Sequence, residues 1–211
     1  MALEAVRLGA ARGGHTLFSG VGFALGAGEA LWLGGTNGSG KTTLLRLLCG
    51  LALPADGEVL WQGQPIRRLR EDYHRALLYC GHASGVKDDL TAWENLATSA
   101  ALAGRSCTRA QAEDALAHVG LRDQAALPAR VLSQGQRRRV VLARLALAPL
   151  PQLLLLDEPF SALDGAATLA LCATLDAHLE RGGIVVYTTH QAQALNARRL
   201  LRLELGAAAS C

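Results

Sequence analysis

Eight consecutive residues, Gly35-Thr36-Asn37-Gly38-Ser39-Gly40-Lys41-Thr42, follow the pattern G-x-x-x-x-G-K-[ST] between an apolar run and a helical stretch over Thr43 to Cys49. That spacing builds a loop able to cradle phosphates. Glycines at 35, 38 and 40 let successive N–H groups turn toward one anion, and the helix start adds its own partial positive charge. In such a loop Lys41 reaches the β- and γ-phosphates of ATP, the Thr42 hydroxyl takes one place on Mg²⁺, and Thr43 joins the nucleotide-binding set at the helix start.

A second candidate stands far along the chain, where Leu153-Leu154-Leu155-Leu156 runs into Asp157-Glu158-Pro159. An apolar strand here delivers two carboxylates at its tip. Asp157 can hold Mg²⁺, usually through water, and Glu158 can orient and deprotonate an attacking water. Both roles need rigid placement.

The elements that must supply this placement are short apolar runs alternating with helical patterns. Strand candidates are Ala30 to Leu33, Glu58 to Trp61, Ala76 to Cys80, Leu153 to Asp157, Ile184 to Thr188 and Leu200 to Leu205. Several are Leu- or Val-rich at every position, as in strands covered on both faces of a parallel sheet. From Thr91 to about Ala148 helix patterns dominate, broken by Gly104, Gly120 and Pro128, with one helix expected over Gln136 to Leu147. The predicted fold class is α/β, with a largely parallel sheet core, an inserted helical subdomain and an N-terminal antiparallel β region. The expected division is a single domain over 1–211, with 1–82 and 149–205 as core and 83–148 as the helical part.

Composition excludes several functions. With 211 residues, 50% of them hydrophobic, the chain can bury a sizeable core, so a disordered tail protein is excluded. A net charge of +3, from 21 Lys+Arg against 18 Asp+Glu, does not point to nucleic acid, and no nucleic-acid partner is expected. Arg137, Arg138 and Arg139 are consecutive helical positions that point in different directions, so they are expected to be ion-paired or solvated. No apolar run approaches the roughly 18 to 20 residues needed to span a bilayer. The start, Met-Ala-Leu-Glu-Ala-Val-Arg, has no secretory pattern, and a cytosolic chain is expected. Five scattered cysteines without Cys-x-x-Cys spacing read as reduced thiols used as small apolar filling.

Leu132-Ser133-Gln134-Gly135-Gln136 resembles the Leu-Ser-Gly-Gly-Gln signature of ABC-transporter ATPases, with Gln134 in place of Gly. Ser161-Ala162-Leu163-Asp164 resembles the D-loop of that family, and Thr188-Thr189-His190 its switch histidine. The resemblance covers essentially the whole chain. It implies a P-loop NTPase fold and a head-to-tail homodimer enclosing two ATP molecules, each held by one subunit's P-loop and the other's signature. Ser133 and the N–H of Gly135 would then cap the γ-phosphate from across the dimer, Gln136 and Asp164 would belong to the nucleotide-binding set, and His190 would contact the terminal phosphate.

Two positions depart from that family. His82 falls where most members carry a Gln that senses Mg²⁺ and the γ-phosphate, and imidazole also titrates near neutral pH. The adenine-stacking aromatic has no counterpart in Ala11-Arg12-Gly13-Gly14-His15, where either Arg12 or His15 could stack on the base or the segment could be plain surface loop.

Within the family, Cys80-Gly81-His82-Ala83-Ser84-Gly85-Val86-Lys87 with Leu90-Thr91-Ala92-Trp93-Glu94-Asn95-Leu96 is similar to a segment of the cytochrome c biogenesis ATPases, the CcmA haem-exporter group. Val59 to Ile66 and Thr188-Thr189-His190-Gln191 resemble that group as well. This implies a peripheral subunit on the cytoplasmic face of the bacterial inner membrane, coupling ATP hydrolysis to haem delivery by integral membrane subunits. No residue of this chain is identified as a haem ligand. An ABC ATPase for another solute, or a soluble non-transport ATPase such as a cluster-assembly one, stays open as an alternative.

Overall fold

Leu153–Leu156 and Ile184–Thr188 are buried at every position, a pattern open only to strands covered on both faces. The computed structural model describes residues 2–81, 85–161, 163–190 and 195–206. Its strands are β1 (Leu3–Arg12), β2 (His15–Leu25), β3 (Glu29–Gly35), β4 (Asp56–Trp61), β5 (Gln64–Pro65), β6 (Leu77–Cys80), β7 (Leu153–Leu156), β8 (Ile184–Thr188) and β9 (Arg199–Leu205). Its α-helices are α1 (Lys41–Leu48), α2 (Ile66–Leu69), α3 (Glu71–Arg75), α4 (Ala92–Leu102), α5 (Arg109–His118), α6 (Gln134–Leu142) and α7 (Gly165–Glu180). Two compact units emerge: Met1–Gly81 with Pro151–Pro159 and Leu175–Cys211, and His82–Leu150 with Phe160–Thr174.

The first unit holds two sheets. One is fully parallel, in the order β6-β7-β8-β3-β9, and the other is antiparallel, in the order β2-β1-β4-β5. The α/β fold with a parallel core and an N-terminal antiparallel region is therefore present. Register decides what meets at the carboxyl edge of the parallel sheet. Leu156 of β7 pairs with Tyr187 of β8, and Tyr187 with Trp32 of β3, so the residues after each pair leave the sheet at one edge. Helix α1 packs Leu44, Leu45, Leu47 and Leu48 into the core with Leu31 and Leu33 of β3. Its far end is fastened by Tyr73, whose hydroxyl donates to the Leu48 carbonyl at 2.5 Å. The C-terminal end of α1 is thus held.

Strands β1 and β2 are not visible as separate strands in the sequence, and the structure shows why. Bulges break the two-residue alternation in β1, where Arg7 sits at φ 48, and Ala and Gly replace the β-branched residues that advertise a strand.

The second unit is helical and closes over a core of small and branched side chains, among them Ala92, Leu96, Ala112, Leu116, Leu132 and Val140. Thr91-x-x-Glu94, Thr108-x-x-Gln111 and Ser133-x-x-Gln136 each form a reciprocal capping box at the starts of α4, α5 and α6. Buried Asn95 pins the segment ahead of α4. Its side-chain oxygen accepts from Lys87 N–H at 2.7 Å, and its amide donates to the Lys87, Leu90 and Thr91 carbonyls. The helix expected over Gln136 to Leu147 begins two residues earlier and gives way to a 3₁₀ turn at Ala143–Ala146, after which Leu147 is extended.

Candidate active site

Helix α1 starts at Gly40 with no side-chain cap and no acidic residue in its first turn, whereas α4, α5 and α6 are all capped. Its free N–H groups therefore face the loop 35–40, an arrangement suited to an anion. Gly40 takes φ 101, and a Cβ there would meet the Phe18 ring at 2.9 Å. At Gly35, φ 132, a Cβ would lie 2.5 Å from the Leu205 carbonyl and 2.6 Å from Ser39 Oγ. No larger residue fits either position without rebuilding the loop. Lys41 Nζ donates to the Gly35 carbonyl at 2.7 Å and to the Thr36 carbonyl at 3.1 Å, folding its charge over the loop. Ser39 Oγ is buried with no hydrogen-bond partner, a polar atom inside the cradle that a phosphate oxygen would satisfy.

The tips of β7 and β8 complete the arrangement. Thr42 Oγ1 donates to Asp157 Oδ2 at 2.8 Å, and buried Asp157 also accepts from Thr188 Oγ1 at 2.9 Å. Glu158 N–H donates to Thr188 Oγ1 at 2.7 Å. Glu158 itself adopts φ 51, a left-handed backbone seldom taken by a non-glycine residue. Its Oε1 lies 3.5 Å from His190 Nε2, with the glutamate side chain 16% exposed and the histidine 57% exposed. The first unit thus brings the loop Gly35, Thr36, Asn37, Gly38, Ser39 and Gly40, with Lys41, Thr42 and Thr43, to the same sheet edge as Asp157, Glu158 and His190. The paired hydroxyl and carboxylate of Thr42 and Asp157 form an oxygen donor set that fits a hard divalent cation.

The second unit carries the signature residues. Ser133 is exposed, its Oγ accepting from Gln136 N–H at 3.2 Å while Gln136 Oε1 accepts from Ser133 N–H at 2.8 Å. Gln134 is an ordinary right-handed helical residue at the first turn of α6, so the position makes no conformational demand for glycine. Gly135 follows it within the same turn. Asp164 accepts from Ala167 N–H at 2.8 Å and pairs with Arg139 at 2.5 Å, and these two partners hold its carboxyl below the ordinary carboxylate range. Arg137 pairs with Asp88 at 2.6 Å, and Arg138 is buried.

His82, Ala162 and Gln191 lie outside the described residues. Arg12 and His15 face each other across the exposed turn between β1 and β2. Thr188 enters the sequence reading only as the residue that opens Thr188-Thr189-His190, with no role of its own, yet its hydroxyl joins Asp157 to the Glu158 main chain. The available signal was a polar residue closing an otherwise apolar run, Ile184-Val185-Val186-Tyr187.

A family profile described as ABC transporter matches residues 18–161. The cytochrome c biogenesis ATP-binding export protein CcmA of Nitrosomonas europaea is 54% identical over 189 residues, 90% of this chain and 88% of that protein. The protein of the same name from Nitrosospira multiformis is 51% identical, covering 96% of this chain and 98% of its own length. A solved dimeric ATP-binding cassette in a post-hydrolysis state, bound to ADP and Pi, superposes with a TM-score of 0.82 at 25% identity, covering 97% of this chain and 96% of that one. These similarities span both units.

Proposed function

The chain belongs to the ABC transporter family as an ATPase, and from that premise we propose that it is the ATP-hydrolysing subunit of an exporter serving cytochrome c biogenesis. In this reading it works as a homodimer on the cytoplasmic face of the bacterial inner membrane, against integral membrane subunits that handle haem. No described helix is long and apolar enough to cross a membrane. The subunit's contact with the bilayer would therefore run through those partners.

The observation that carries the hydrolytic reading is the placement of Glu158 and His190 at one sheet edge with the loop of Lys41. Lys41, held over the loop by two carbonyls, would exchange them for phosphate oxygens. Thr42 and Asp157 would hold Mg²⁺, which supplies neutralising charge to the β- and γ-phosphates. Glu158 would take the proton of the attacking water, and His190 would contact the terminal phosphate and so distinguish ATP from ADP. Ser133, Gly135, Gln136 and Asp164 would complete the site of the partner subunit, since the capping box at the exposed start of α6 uses the Ser133 and Gln136 N–H groups and leaves those of Gln134 and Gly135, with the Ser133 hydroxyl proton, for an anion. His82 is proposed to take the place of the family's Mg²⁺-sensing glutamine.

The cargo reading is supported by the names of relatives that match nearly end to end. Its test is complementation of a bacterium lacking its own cytochrome c export ATPase. The intact chain should restore covalently haem-loaded c-type cytochromes and Lys41→Ala should not. A chain that hydrolyses ATP with the host's membrane subunits yet restores no cytochrome would overturn the cargo and leave the ATPase standing.

A further inference from the structure

We propose that Thr188 is a positioning residue for hydrolysis, its buried hydroxyl fixing the main chain of Glu158 so that the carboxylate is held at the tip of β7. The inference rests on the reading of Glu158 as the base. It adds a fully buried residue on a different strand.

Thr188 is fully buried at the last position of β8. A hydroxyl there must be satisfied internally, because burying it unpaired costs more than a methyl group would. Both of its capacities are used, and their direction is forced by the partners. The Glu158 N–H can only donate, so Oγ1 accepts from it at 2.7 Å, and the hydroxyl's own proton goes to Asp157 Oδ1 at 2.9 Å. One hydroxyl therefore grips two consecutive residues of the strand tip. The grip falls on the residue that needs it, since φ 51 at Glu158 is a conformation that persists only where its surroundings enforce it. Asp157 is fixed at Oδ1 by the same hydroxyl, and its Oδ2 meets Thr42. Register places this bridge: Leu156 and Tyr187 pair across β7 and β8, so the residues that follow them come side by side.

The experiment compares Thr188→Val and Thr188→Ser in the full-length chain. Valine keeps the branched shape and suits a buried strand, while serine keeps the hydroxyl and loses the methyl. Phosphate release is measured across ATP and Mg²⁺ concentrations, and binding is measured separately with a fluorescent ATP analogue. Thr188→Val should lower kcat about tenfold or more, with the analogue's Kd within about twofold of wild type and no recovery at saturating Mg²⁺; Thr188→Ser should keep most of kcat. Unchanged kcat in Thr188→Val overturns the proposal. So does equal loss in both variants, which would assign the effect to packing, and so does recovery by Mg²⁺, which would assign it to Asp157 alone. A valine variant that fails to fold leaves the serine variant and Thr188→Cys, whose weak thiol should give intermediate kcat; wild-type kcat in the cysteine variant would overturn the proposal. Glu158→Gln measured alongside separates the two readings. Wild-type turnover in that variant removes the base, whereas a collapse there with normal turnover in Thr188→Val removes only the positioning role.

Discussion

His190 Nε2 stands 3.5 Å from Glu158 Oε1, an approach made from the tips of two neighbouring parallel strands. Neither side chain lies in the loop of Lys41, yet both leave the sheet at the edge where that loop begins. A carboxylate in this position can accept a proton from water, and the imidazole beside it has a second nitrogen free to meet a phosphate oxygen. In the proposed mechanism the pair would give hydrolysis and nucleotide discrimination separate atoms.

Glu158→Gln keeps the shape and hydrogen-bonding reach of the side chain and removes its basicity. Turnover should fall by about 10²- to 10⁴-fold, the range associated with loss of a general base, while ATP affinity is retained. Size-exclusion chromatography with ATP should then show a stabilised dimer, and wild-type turnover would remove Glu158 from the role of base.

Lys41→Ala should act on binding itself. The ammonium group is held by the Gly35 and Thr36 carbonyls at 2.7 and 3.1 Å, ready to be passed to phosphate. Losing a hydrogen bond to a charged group costs roughly 1.5–3 kcal/mol, so affinity for labelled ATP should drop on the order of tenfold to a hundredfold. Undiminished binding would exclude the loop as the phosphate site.

Ser133→Arg tests whether two subunits share a site. The side chain is exposed and belongs to the second unit, so a large cation there leaves the Lys41 loop of its own chain intact. Binding of the ATP analogue should persist while turnover and ATP-dependent dimer formation are lost. Parallel loss of binding and turnover, with the fold intact by circular dichroism, would place Ser133 within its own subunit's site.

The parts of this site that could be read directly from the chain are those whose geometry is local. Gly35 to Thr42 is a contiguous loop, so its residue order alone implies the conformation, and Ser133-x-x-Gln136 announces a helix start through its capping pattern. Asp157, Glu158 and His190 could be named as candidates, but their meeting depends on the pairing of Leu156 with Tyr187, a register that no single segment encodes. Thr188 escaped because a threonine at a strand end is ordinary by β propensity, and only the strand pairing shows which groups its hydroxyl joins. Bulged β1, with Arg7 at φ 48, was hidden for the opposite reason: the alternation that marks a strand is broken within it.

His178 gives the fold itself a pH dependence. Burial lowers its pKa below the ordinary 6.5, and its Nε2 donates to the Gln152 carbonyl at 3.2 Å, so the neutral ring is the form that fits. A group with a lowered folded pKa binds protons more readily in the unfolded chain. Its contribution to stability is therefore complete above the unfolded value and is lost as pH falls toward the folded one. Such a group tilts stability by at most about 1.4 kcal/mol per pH unit. Thermal stability of the wild type should accordingly decline as pH falls below about 6.5, and His178→Gln, which can still donate to the Gln152 carbonyl but does not titrate, should show a shallower decline. Parallel curves for the two proteins would mean that His178 is protonated as readily in the folded chain as in the unfolded one.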